Sequence, residues 1–87
     1  MKLKQRETWL RATITRIAGK PADAVSADAD LQEAVGLDSL GRLEVLSEIE
    51  DEFDFLIDDQ EIFTSATITR MLEVIRRHLA EDTKDEG

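Results

Sequence analysis

Ser39 is the residue whose setting most suggests chemistry. It stands in the run Gly36-Leu37-Asp38-Ser39-Leu40, with a carboxylate just before it and a leucine just after. A serine hydroxyl so placed has three uses: it can help start a helix, act as a nucleophile, or accept a modification. The nucleophilic use needs a general base beside the hydroxyl and a third group to orient that base. The chain has one histidine, His78, and no cysteine. A Ser/His hydrolase is therefore a poor fit, and thiol nucleophiles, thiolate metal sites and disulfides are removed. Helix start and modified serine remain, and the two are compatible. The aspartate-rich stretches 28–30 and 51–59 raise calcium as a second chemistry. Neither has the glycine at the sixth and glutamate at the twelfth position of an EF-hand loop, so no metal site is expected.

Hydrophobic spacing shows what must position Ser39. Leu40, Leu43, Leu46, Ile49 and Phe53 recur as a stripe, with Glu44, Glu48, Asp51 and Glu52 off it. This predicts a helix over about 39–53. Asp38 falls at the N-cap, where a carboxylate suits both the free N–H groups and the positive end of the helix dipole. Ser39 then lies in the first turn with its hydroxyl outside the core, where a phosphodiester is well placed.

Upstream, Leu10, Ile14 and Ile17, with Trp9 alongside as core or rim packing, predict an amphipathic helix over about 4–18. Gly19 ends it and Pro21 marks the break. Residues 20–37 read as one long connection, pinned by Val25, Leu31, Ala34 and Val35. A loop of that length, if ordered, is usually functional. Downstream, after the apolar loop Phe55-Leu56-Ile57, Asp58-Asp59-Gln60-Glu61 spells a capping box that opens a short helix through about Phe63. Thr64 or Ser65 then caps a last helix carrying Ile68, Met71, Leu72, Ile75 and Leu79. His78 is expected at its surface, favourable to the C-terminal dipole. The polar tail 81–87 is expected to fray.

No segment alternates as a strand does. The fold class is therefore all-α: a small four-helix bundle of three main amphipathic helices plus one short helix, with a long loop between the first two. The 87 residues form a single domain, its core within about 4–80. A chain this short buries only about 60–65% of its unfolded surface.

Charge narrows the partners. The net charge is −9, unevenly spread: residues 1–20 sum to +5 and residues 21–87 to −14. The acidic body disfavours nucleic acid, and with it a small helical DNA-binding domain, and suits partners with basic patches. The N-terminal MKLKQRETW has no apolar run of the kind a signal peptide carries. No stretch approaches the ~18 apolar residues of a membrane span. A soluble cytoplasmic monomer without membrane insertion is expected.

Taken together, Asp38-Ser39-Leu40, preceded by Gly36-Leu37 and followed by an acidic helix ending Glu50-Asp51-Glu52-Phe53, resembles the acyl carrier proteins. The short helix after Ile57 and the final amphipathic helix fit the same family, so the resemblance covers roughly residues 5–80. It implies a carrier and not an enzyme. Ser39 would bear 4′-phosphopantetheine, installed from coenzyme A by a phosphopantetheinyl transferase. The thiol of that arm would hold acyl groups as thioesters, which accommodates the lack of cysteine. Asp38 would serve as cap and as a recognition point for the transferase. Leu40, Gly41, Arg42, Glu44, Glu48 and Asp51 match positions where the family meets basic patches on acyl-loading and acyl-transfer enzymes. A merely solvated acidic face is the competing reading of those carboxylates. Leu43, Leu46, Ile49, Ile57, Ile68, Met71 and Ile75 are the candidates for a core that opens around an acyl chain.

Gly41 and Arg42 depart from the acidic or polar residues many members have there, and Asp58 stands where proline is common. The glycine suggests close approach of a partner. The arginine suggests a specialised, bacterial member with its own enzymes. The work implied is fatty acid, lipid or related biosynthesis. Aminoacyl or polyketide cargo, and an unmodified helical adaptor, are the alternatives.

Overall fold

The structure, a computed structural model, describes residues 2–84, with side chains described through Leu79. Five helices are present among the described residues, and no strand: α1 (Leu3–Ala18), α2 (Leu31–Val35), α3 (Ser39–Phe53), α4 (Asp59–Thr64) and α5 (Ile68–Lys84). The expected all-α bundle of three main helices is thus present, with two short helices rather than one. α1, α3 and α5 pack on one another. Leu10 and Ile14 of α1, Val45 and Ile49 of α3, and Ile68, Met71 and Ile75 of α5 are sealed between them.

α1 ends as its sequence predicts. Gly19 adopts φ 76°, a left-handed conformation that costs glycine little, and its N–H donates to Thr15 O at 2.9 Å. The connection that follows is ordered by α1 itself. Arg11 donates to the carbonyls of Ala22 (2.9 Å), Asp23 (3.4 Å) and Val25 (2.6 Å), while its Nε pairs with Glu7 at 2.9 Å. Ala22 N–H donates to Thr15 Oγ1 at 2.9 Å. Part of the basic character of α1 is therefore structural.

Within that connection lies α2, which the periodicity does not predict. Five residues are too few to display a helical repeat. The signals that define it are its ends. Asp30 accepts from the N–H groups of Gln32 (2.9 Å) and Glu33 (3.1 Å), and Gly36 closes the helix at φ 73°. Leu31 and Val35 point one buried face into the core.

α3 spans the predicted residues, but its buried face is not the predicted stripe. The buried positions are Gly41, Val45, Leu46 and Ile49. Leu40 is 71% and Leu43 44% exposed. The reason is phase. A repeat of three residues falls about 60° short of a full turn at each step, so Leu40 and Ile49 lie on opposite sides of the helix. The true face runs by steps of four, from Gly41 through Val45 and Ile49 to Phe53.

α4 opens with the predicted capping box: Glu61 N–H donates to Asp58 at 2.8 Å, and Asp58 N–H to Glu61 at 3.1 Å. α5 starts later than predicted. Its cap is Thr67, whose hydroxyl accepts from Arg70 N–H at 3.1 Å. Thr64 and Ser65 instead turn their hydroxyls back to the carbonyls of Gln60 and Glu61. The α5 backbone continues through the first residues of the polar tail to Lys84, and the expectation of fraying at 85–87 lies outside the described residues.

Candidate functional site

Ser39 is the first residue of α3 and is exposed. Two interactions fix it there. Asp38, in extended backbone at φ −78° and ψ −173°, accepts from Gly41 N–H at 2.8 Å as the N-cap. The side chain of Leu37, only 4% exposed, packs where a β-carbon at Gly41 would sit, 2.8 Å from Leu37 Cδ1 and 3.3 Å from Asp38 Oδ1. Gly41 is therefore buried under its own chain. This corrects its expected place on a docking surface: the close approach is intramolecular.

A groove of about 380 Å³ begins at the serine, lined by Ser39, Arg42 and Leu43 of α3 and Asp59, Ile62 and Phe63 of α4. Its far wall, Phe63, is 78% exposed. Leu43, expected in the core, lines this groove instead. The other six residues expected around an acyl chain, Leu46, Ile49, Ile57, Ile68, Met71 and Ile75, lie together in the one buried core.

The acidic side of α3 is mixed in its commitments. Glu44 and Asp51 are exposed. Glu48 is paired with Arg16 of α1 at 3.0 Å. Glu50, not among the expected docking residues, accepts from Ile57 N–H at 2.8 Å and holds the loop before α4. Arg42 is half-buried between the groove and a shallow cleft formed with Asp30, Leu31 and Leu37. Its Nε is sealed from solvent without an acceptor.

His78 is not the plain surface residue expected. Its ring stacks on Phe55, 4.1 Å between centroids, and its Nε2 lies 3.1 Å from Glu61 Oε1. Arg77 donates to the same carboxylate at 2.6 Å. Glu61 is 6% exposed. Burial alone would raise its pKa. The hydrogen bond to His78, then the Asp58 N–H and Arg77, outweigh that effect and hold it below its ordinary value of 4.5. The capping-box spelling made Glu61 legible as a cap. Nothing in its spacing announced that the same side chain ties α4 to α5.

The one imidazole is thus engaged with Glu61 and Phe55 and not with Ser39. A hydroxyl held at a helix start, without an imidazole to activate it and with a groove opening beside it, suits a carrier that another protein loads. Residues 8–75 match the family described as "Phosphopantetheine attachment site". The chain is 30% identical over 76 residues to an acyl carrier protein of Phaeodactylum tricornutum, covering 87% of this chain and 100% of that one. It is 32% identical over 56 residues to an acyl carrier protein of Saccharopolyspora erythraea, covering 64% of this chain and 59% of that one. With an acyl carrier protein of Rickettsia bellii the identity is 32% over 60 residues, covering 69% of this chain and 70% of the relative. No solved structure matches significantly. The chain belongs to the acyl carrier protein family: it is a carrier and not an enzyme, and its prosthetic group is covalent 4′-phosphopantetheine.

The described residues fit that group. Ser39 offers an exposed hydroxyl, the groove offers room and apolar wall beside it, and Arg42 brings a guanidinium one turn on, lining the same groove. Among the described residues no helix is long and apolar enough to cross a membrane.

Proposed function

We propose that Ser39 is the attachment point, and that the protein carries acyl intermediates as thioesters on the thiol of its arm, for fatty acid, lipid or related biosynthesis. The observation that carries this reading is the placement of Ser39: exposed, in the first turn of α3, at the mouth of the groove. Asp38 caps the helix and stands next to the hydroxyl a phosphopantetheinyl transferase must reach. Leu40, Glu44 and Asp51 form the docking face for acyl-loading and acyl-transfer enzymes with basic patches. Glu48 contributes less, because Arg16 already neutralises it. Weak electrostatic docking lets such partners exchange quickly, and the tether raises the local concentration of the cargo. The protein works as a cytoplasmic monomer. Leu46, Ile49, Ile57, Ile68, Met71 and Ile75 form the core that makes room for a long acyl chain, entered from the side of Leu43.

The test is intact mass after incubation with coenzyme A and a broad-specificity transferase. One phosphopantetheine is added to the wild type and none to Ser39→Ala. A folded wild type that gains no mass with several transferases refutes the assignment.

A further inference from the structure

α3 contains one basic residue, Arg42, among five carboxylates: Glu44, Glu48, Glu50, Asp51 and Glu52. It is three residues on from Ser39, so the two side chains share a face of the helix, their β-carbons about 5–6 Å apart. Both line the groove that leads to Leu43, Ile62 and Phe63. Carboxylates are at hand on either side of Arg42, with Asp59 in the groove and Asp30 in the cleft behind it. The ion pairs among the described residues nevertheless use Arg11, Arg16, Arg70, Arg77 and His78, and not Arg42. Its Nε–H is sealed from solvent with no acceptor. The other arginine in that condition, Arg6, has its guanidinium over the ring of Phe53 at 5.9 Å. Arg42 has no comparable intramolecular partner among these contacts.

We infer that Arg42 is a positioning residue for the arm: its guanidinium holds the phosphodiester on Ser39 against α3, so that the rest of the arm lies along the groove against Leu43, Ile62 and Phe63. The inference rests on Ser39 being the attachment point. Charge selects the occupant. A phosphodiester at Ser39 has Asp38 as its sequence neighbour and Asp59 on the α4 side of the same groove, and both carboxylates repel it. A planar guanidinium one turn away offers paired donors matched to two phosphate oxygens. The groove walls beyond it are apolar and open, Phe63 at 78% and Leu43 at 44% exposure. A flexible chain tethered at the mouth of the groove covers that surface.

The experiment uses the holo protein, with loading confirmed by intact mass before any other measurement. Two NMR signals are read. The first is the Arg42 Nε–H resonance in apo and holo wild type. The second is the set of nuclear Overhauser contacts between the geminal methyl groups of the arm and Leu43, Ile62 and Phe63. The Arg42 resonance shifts on loading, and the arm contacts are present in the wild type. In Arg42→Gln the contacts fall about tenfold in intensity, the order a lost charge-assisted hydrogen bond gives. Arg42→Lys retains an intermediate level. A loaded wild type whose Arg42 resonance does not move overturns the inference, and this reading needs no variant to fold. Arm contacts undiminished in loaded Arg42→Gln overturn it equally. A wild type that takes no arm at all refutes the attachment reading, and is told apart by its mass alone.

Discussion

Replacing Gly41 with alanine sets two effects of known sign against each other. Alanine favours a helix over glycine by about 1 kcal/mol, and Gly41 lies within α3 with ordinary helical backbone, so local propensity alone predicts stabilisation. The added β-carbon, however, would stand 2.8 Å from Leu37 Cδ1 and 3.3 Å from Asp38 Oδ1. Leu37 is 4% exposed and cannot swing into solvent without giving up its burial. Overpacking of this kind costs about 1–3 kcal/mol. Disturbing the Asp38 cap adds up to about 1 kcal/mol. The packing terms win, and Gly41→Ala destabilises by about 1–2 kcal/mol. For a domain of this size that lowers Tm by about 4–8 °C per kcal/mol. The assay is thermal unfolding followed by circular dichroism, run as a cycle with Leu37→Ala. Leu37→Ala alone destabilises by about 2 kcal/mol or more, as loss of a buried leucine does. In that background the contact with Leu37 is gone and only the 3.3 Å approach to Asp38 Oδ1 remains, so adding Gly41→Ala becomes close to neutral, helix propensity offsetting the disturbed cap. A single Gly41→Ala variant at or above the wild-type Tm refutes the steric reading. So does a cycle in which the two changes simply add.

Two further outcomes follow from other contacts. The pKa of Glu61 is lowered in the folded state, so its stabilising contribution is complete above its unfolded value near 4.5 and is lost as pH falls through the lower folded value. Glu61→Gln costs about 2 kcal/mol at neutral pH, because it weakens the bonds from Arg77 and His78. The gap between wild type and variant in urea unfolding narrows as the pH falls from 4.5 downward; a gap that is constant from neutral to acid pH contradicts the assignment. On the acidic face, Glu44→Lys and Asp51→Lys, each made singly, lower a cognate enzyme's kcat/KM for the loaded carrier by about threefold, while Glu48→Lys does less, since Glu48 is already paired. Equal effects at all three positions would reject the distinction.

The start of α3 and the start of α4 are legible in the sequence, and the packing around them is less so. Asp38 and Ser39 were legible because a cap and a first-turn hydroxyl are defined by neighbours one to three residues away. α4 was legible for the same reason, through Asp58 and Glu61. α2 is not legible because a helix of five residues has ends but no period, and its ends, Asp30 and Gly36, are residue types equally at home in a loop. The buried face of α3 is masked in the sequence, because four leucine and isoleucine positions at intervals of three outweigh a glycine and a valine. Yet Gly41 is buried because it lacks a side chain, and a hydrophobic pattern gives no weight to that. Leu40 and Leu43 are outside the core as a consequence, and Leu43 lies in the groove that Ser39 also lines.

The two walls of that groove are held by unrelated devices. On the α3 side, Leu37 over Gly41 and the Asp38 cap fix where Ser39 and Arg42 begin. On the α4 side, Glu61 carries the load: it closes the capping box at Asp58, and it accepts from Arg77 and meets His78, which is itself stacked on Phe55. Ile62 and Phe63, the next two residues, are thereby presented to the groove. A carrier has to expose one arm to several enzymes, so the surface beside the proposed attachment point cannot be closed by permanent packing. The structure meets this requirement by fixing the backbone at the edges of the groove, through apolar packing and a helix cap on the α3 side and a buried carboxylate on the α4 side. The apolar side chains between, Leu43 and Phe63, are left exposed to whatever lies there. Stability and access are thus assigned to different residues, and the Gly41 and Glu61 variants test the first without altering any side chain that lines the groove.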